Sequence, residues 1–147
     1  MSIMKASVQY AGDEYFVAVS PSGHAQVIDT NGGRKSAATP VEMLLSALGA
    51  CTGADVAGIL AKKRQNVTAY RIELSGERRE EFPRRFETIH VHHIVRGRGV
   101  SQKAVAQAIE LSDTKYCSVA DALRPAAKIT SSYEIIEDGD SDAVASV

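Results

Sequence analysis

Two cysteines, Cys51 and Cys117, carry the most reactive side chains of this 147-residue chain. A cysteine thiol is a reactive group once ionised, the thiolate being a strong nucleophile. A cysteine in apolar surroundings is instead a small buried hydrophobe. Composition narrows the context. A net charge of −1, from 17 basic and 18 acidic side chains, supplies no broad basic field for nucleic acid. No run approaches the ~18 apolar residues of a bilayer span, and the start "MSIMKASVQYAGDEYF" has no apolar signal region of secretory length. These features predict a soluble, cytoplasmic protein with no nucleic-acid or membrane partner. In such a reducing compartment two cysteines are not a permanent staple, so both readings, buried hydrophobe and reactive group, stay open.

Other residue clusters point less clearly to chemistry. His90 and His92 in "IHVHHIV" share a strand face, but without a third convergent ligand they do not make a metal site, and no metal or other cofactor is expected. A sheet face covered by a partner or by water accounts for them, with His93 beside them. "RREEFPRR" reads as a solvated connection of mixed charge. "NGGRKS" lacks the Walker spacing, and no cysteine-protease signature surrounds Cys51.

The elements that must position the two thiols form an interleaved α+β pattern in a single domain. "KASVQY", "EYFVAVS" and "HAQVID" are short β-rich runs separated by turn signals, predicting an antiparallel meander. "NVTAYRIELSGER" and "ETIHVHHIVRGRG" predict two longer strands. "SQKAVAQAIELSDTK" predicts an amphipathic helix capped by Ser101, with Val105, Ala108, Ile109 and Ser112 along one face. A short helix over about 118–123 follows Cys117, "AAKITSSYEIIE" predicts a last strand, and the tail "DGDSDAVASV" is expected to fray.

Cys51 lies in the middle of the longest element, a helix predicted over 39–64. Thr39 is its N-cap, Pro40 its first helical residue and Glu42 the third, a capping box. Lys62, Lys63 and Arg64 complement its C-terminal dipole. At 1.5 Å per residue it runs about 36 Å, long for a domain of this size. Val41, Met43, Leu44, Leu45, Leu48, Val56, Ile59 and Leu60 cover more than one stripe, which predicts burial on several sides. Gly49 and Gly53 flank the cysteine and together cost about 2 kcal/mol of helix propensity relative to alanine. Close packing of another backbone, a second copy of the helix, or a pocket beside the sulfur are the compensations open at this point.

"TPVEMLLSALGACTGADVAGILAKK", followed by "FETIHVHHIVRGRGVSQKAVAQAIELSDTKYCSVADALRPAAKITSSYEI", resembles the OsmC/Ohr family of thiol-dependent peroxide reductases, in its OsmC-like branch. The resemblance covers about residues 30 to 136. It implies an intertwined homodimer of antiparallel sheets wrapped around paired central helices, with the active sites at the dimer interface. It further implies that Cys51 is the peroxidatic thiol and Cys117 the resolving one, that the substrate is a hydroperoxide, and that an external dithiol resets the site.

The family activates its thiol with an arginine held by a glutamate. Arg34, in the glycine loop before the helix, is the arginine the resemblance suggests; a solvated loop charge is its alternative. The family's glutamate falls where this chain has Val41. Glu42 is one step later, about 100 degrees around the helix and on the side opposite Cys51, so its capping role is favoured over a site role. Asp55, one turn after Cys51, is a further candidate, either at the site or paired with a cation across the dimer. Organic hydroperoxides fit the apolar surroundings of Cys51. The alternative is a noncatalytic OsmC-like module binding a small apolar ligand at the same interface.

Overall fold

In the computed structural model, which describes residues 2–139, the β-rich runs and the capped helices form where their local chemistry places them. The chain divides into two units, residues 1–46 and 47–147.

The first unit is an antiparallel three-stranded sheet: β1 (Ser7–Gly12), β2 (Tyr15–Val19) and β3 (Ala25–Asp29), in that order. Its register pairs Gln9 with Val17 and Val17 with Val27. Tight connections suit this meander, and Asp13 and Glu14 turn the first hairpin with positive φ. Little of the sheet is covered, with Val8, Tyr10 and Val27 more than half exposed. The unit ends in the first turns of α1 (Pro40–Lys62). The capping box forms as its spacing requires: Thr39 N–H donates to Glu42 Oε1 at 3.1 Å, and Glu42 N–H donates to Thr39 Oγ1 at 3.2 Å.

The second unit holds the rest of α1 and a sheet of β4 (Asn66–Arg78), β5 (Phe86–Arg98) and β6 (Lys128–Glu137) in sequence order. β4 and β5 are antiparallel, as expected, but β6 runs parallel to β5, so this sheet is mixed. A parallel return needs a crossover. It is made by α2 (Gln102–Leu111), a π-helical turn over Ser112–Tyr116, and α3 (Ser118–Leu123). Ser101 caps α2, its Oγ accepting the Ala104 N–H at 3.2 Å. The predicted second helix therefore stops at Leu111 as an α-helix and widens into the π turn.

The core of this unit joins Val56 and Leu60 of α1 to Val95 of β5 and Val105, Ala108 and Ile109 of α2. On α1 the buried residues are Leu48, Gly49, Thr52, Gly53, Val56 and Leu60. That is one stripe at helical spacing. Burial on several sides, which the apolar content predicts, is not what the single chain shows: Leu44, Ala50, Ala54, Ala57 and Gly58 are exposed. With its small residues counted, α1 is long and apolar enough to cross a membrane by length and composition alone.

The two glycines beside Cys51 serve close packing. A Cβ at Gly49 would lie 2.7 Å from Leu74 Cδ1, and one at Gly53 would lie 2.6 Å from Ile72 Cδ1. Strand β4 thus occupies the space that the missing side chains leave. Of the expected frayed tail, residues 140–147 lie outside the described part. Its first residue, Asp138, is held by Arg96 Nε at 2.9 Å and donates its N–H to Gly97 O at 2.8 Å.

Candidate active site

Cys51 sits at the edge of the buried stripe of α1 and is partly exposed, between exposed Ala50 and buried Thr52. Cys117 is buried at 3% exposure, and both thiols are free. Its place is set by main-chain bonds. The Cys117 N–H donates to Ser112 O at 2.9 Å, closing the π turn. Its Sγ then accepts the Ala120 N–H at 3.4 Å, so the sulfur itself caps α3.

The two cysteines, remote in sequence, act on one another. Burial pushes the Cys117 thiol up to about 11; the Ala120 N–H pulls the other way, and a side-chain hydrogen bond with Cys51 and the charge of Asp55 add to the rise. The structure thus brings together three of the residues singled out by sequence: Cys51, Cys117 and Asp55.

Asp55 belongs to a buried polar chain. Ser112 Oγ donates to Asp55 Oδ2 at 2.9 Å and lies 2.9 Å from Thr52 Oγ1. Ser112 is fully buried and Thr52 nearly so. Buried hydroxyls need such partners. Sequence placed Ser112 on the buried face of α2 but gave it no role. The available signal was a serine at a core position, facing a threonine that directly follows the cysteine.

A second polar pair faces the same core. Tyr70 OH is 2.6 Å from His93 Nδ1, with the rings stacked at 5.9 Å. His93 is fully buried, and its Nε2 has no hydrogen-bond partner among the described residues. Burial, aided by His92, lowers the His93 pKa to about 4 and keeps the ring neutral at pH 7. Burial, then the charge of Asp55, raises Tyr70. His90 and His92 face β6 instead: His90 bonds Thr130 and Ser132, and His92 bonds Ser132 and Glu134. No group of three or more histidine, cysteine or carboxylate side chains placed to hold a metal occurs among the described residues.

Arg34 and Glu42 both lie in the first unit. The Arg34 guanidinium is gripped at two points by the buried Asp29, with Nε–Oδ2 at 3.1 Å and Nη2–Oδ1 at 2.8 Å. Asp13 Oδ2 adds a contact at 3.0 Å, and the guanidinium lies 4.0 Å over the Tyr15 ring. The Arg34 bond, followed by the Ser36 hydroxyl, holds the Asp29 carboxyl well below its usual range. Arg34 is therefore an arginine with a carboxylate clamp, but the clamp is Asp29. Glu42 is engaged in the capping box, and its bond with Thr39 lowers its pKa. Asp29 was missed because it ends an ordinary strand pattern. Its signal was an aspartate closing a strand before a glycine turn, with the arginine five positions later.

A shallow polar cleft of about 130 Å³ opens beside the buried thiol, lined by Asp113, Lys115, Cys117, Ser118, Asp121 and Arg124 among others. Burial raises the Asp113 carboxyl, against a 2.9 Å bond from the Ser131 hydroxyl.

Comparison with known proteins bears on the family and the fold. The sequence model of the OsmC-like protein family matches residues 32–132. Protein YhfA of Escherichia coli strain K12 is 47% identical over 133 residues, covering 90% of this chain and 98% of that protein. A crystal structure of a hypothetical protein from Aquifex aeolicus superposes with a TM-score of 0.84 at 31% identity, over 94% of this chain and 99% of that one. An organic hydroperoxide resistance protein OsmC from Legionella pneumophila shares the fold, with a TM-score of 0.64 at 15% identity over 91% and 98% of the two chains. With the family match running through both cysteines, and a relative of nearly half-identical sequence matched almost end to end, this chain belongs to the OsmC-like protein family.

Proposed function

We propose that this protein reduces organic hydroperoxides with the Cys51 and Cys117 thiols, as a homodimer in a reducing, cytoplasmic compartment. The observation that carries the reading is the tie between the two cysteine-bearing segments: buried Ser112 bonds Thr52 and Asp55, beside Cys51 on α1, through its hydroxyl, and accepts the Cys117 N–H through its carbonyl. Family membership and the fold shared with a hydroperoxide resistance protein support it.

The Cys51 thiolate attacks the terminal oxygen of ROOH; the O–O bond breaks, RO⁻ takes a proton and leaves as the alcohol, and sulfur is oxidised to the sulfenic acid. The Cys117 sulfur then attacks Cys51 sulfur, expelling water and forming the disulfide. An external dithiol returns two electrons and two protons. Arg34, the arginine that the family resemblance suggests, is held by Asp29 within the first unit. Asp55 takes part through its hydroxyl partners, and Glu42 serves as a cap. A second copy of the chain is the expected partner, supported by the exposed small-residue face of α1 and the exposed Val8, Tyr10 and Val27.

One observation favours a noncatalytic module binding a small apolar ligand: Cys117 is pushed up to about 11, which keeps the resolving group a thiol at neutral pH. Titration of free thiols before and after one equivalent of an organic hydroperoxide separates the two readings. Reduction predicts loss of both thiols in the wild type and no loss of the one thiol left in Cys51→Ser. Unchanged thiols in the wild type would overturn it in favour of the binder.

A further inference from the structure

We propose that Ser112 is a positioning residue that holds Cys117 within reach of Cys51, acting from both ends of the π turn. Its hydroxyl is bonded to the turn of α1 that begins beside Cys51, through Thr52 at 2.9 Å and Asp55 at 2.9 Å. Its carbonyl accepts the Cys117 N–H at 2.9 Å. One fully buried serine therefore ties the helix of the first thiol to the backbone of the second.

The polarity of this tie follows from proton count. A serine hydroxyl has one proton, and here it goes to Asp55 Oδ2. Thr52 must then be the donor to Ser112 Oγ, giving a directed chain Thr52→Ser112→Asp55. Thr52 and Ser112 are buried and Asp55 is partly so, and neither hydroxyl can rotate away without leaving a buried group unpaired. The π turn supplies the other half. An i→i+5 bond adds a residue to the turn relative to an α-helix, which lets the chain leave α2 and present Cys117 as the cap of α3. A disulfide needs its Cβ atoms within about 4.5 Å, so small rotations of either helix decide whether it closes.

The assignment rests on the thiol-pair reading of the site but not on hydroperoxide as oxidant. It is therefore tested on the full-length protein in dithiothreitol redox buffers, where the dithiol and the Cys51–Cys117 disulfide exchange with oxidised and reduced dithiothreitol. Ser112→Ala is expected to shift the equilibrium about tenfold toward the dithiol, close to 30 mV for a two-electron couple. Thr52→Val should shift it severalfold in the same direction, and Thr52→Ser, which keeps the donor, should stay within about twofold of wild type. The Thr52 pair carries the test if Ser112→Ala does not fold. Ile89→Val, a core change away from the chain of hydroxyls, controls for loss of stability. Equilibria within about twofold of wild type in Ser112→Ala and Thr52→Val, an equal shift in Ile89→Val, or no Cys51–Cys117 disulfide in the wild type would each overturn the proposal. Unreactive wild-type thiols toward hydroperoxide, with these shifts intact, would instead sink the peroxide reading and leave the positioning role standing.

Discussion

Asp29 and Arg34 form a two-point ion pair, with Nη2–Oδ1 at 2.8 Å and Nε–Oδ2 at 3.1 Å, on a carboxylate with no solvent exposure. The arrangement matches a planar fork to a planar acceptor, which lysine cannot do. Asp29→Asn is expected to lower the melting temperature at pH 7. The pH dependence has a definite sign. The folded carboxyl is held below its unfolded value, near 3.9, so its contribution is complete well above that value and fades below it as acid protonates the unfolded chain first, until the folded carboxyl protonates too. Melting curves of wild type and variant should therefore differ most above pH 4 and converge on acidification below it. A constant gap down to pH 2 would exclude the ion pair as its source.

His93 gives a second window at milder pH. Its folded pKa is lowered to about 4, so between the unfolded value near 6.5 and pH 4 the unfolded chain binds the extra proton. Stability must fall as pH drops through that range, by at most about 3 kcal/mol at 1.36 kcal/mol per unit. Denaturant titrations from pH 7 to 4 should show this decline, and His93→Gln should flatten it.

The glycines of α1 should separate by environment. A Cβ at Gly58 would meet nothing within 4 Å, whereas Gly49 and Gly53 face Leu74 and Ile72 below 3 Å. Alanine gains roughly 1 kcal/mol of helix propensity at each site, and overpacking costs about 1–3 kcal/mol. Chemical denaturation should place Gly58→Ala above wild type and at least about 1 kcal/mol above Gly53→Ala. A Gly58→Ala loss would instead mark that face of α1 as a close interface between copies.

Cys117 can be followed alone in Cys51→Ser. Burial is the leading cause of its rise to about 11, so the rise survives the substitution. Alkylation by iodoacetamide should accelerate about tenfold per pH unit from 7 to 10, without the plateau near 8.5 of an ordinary thiol. A plateau below pH 9 would show that the sulfur is not buried as described.

Much of this fold was legible because its signals are local. The Thr39–Glu42 box is a three-residue spacing, and Ser101 needed only the helix that follows it. The strand direction of β6 was not legible, since pairing beside β5 depends on how the crossover closes. At the site, the two cysteines announced themselves by chemistry. Ser112 did not: its hydroxyl meets Thr52 and Asp55 only after α1 and α2 pack, and "LSDTK" reads equally well as an ordinary helix end. Asp29 was hidden in the same way, as the last residue of a strand.

The parallel course of β6 has a practical corollary for anyone labelling or tethering the molecule. Because β6 advances beside β5, Asp138 ends next to Gly97 and Arg98, while Lys128 starts beside Thr88. Ten residues of strand, about 33 Å, separate those two ends. A fluorophore attached at Asp138 thus sits at the Gly97 end of the sheet, at the opposite extremity from the start of β6 that follows the Cys117 helix.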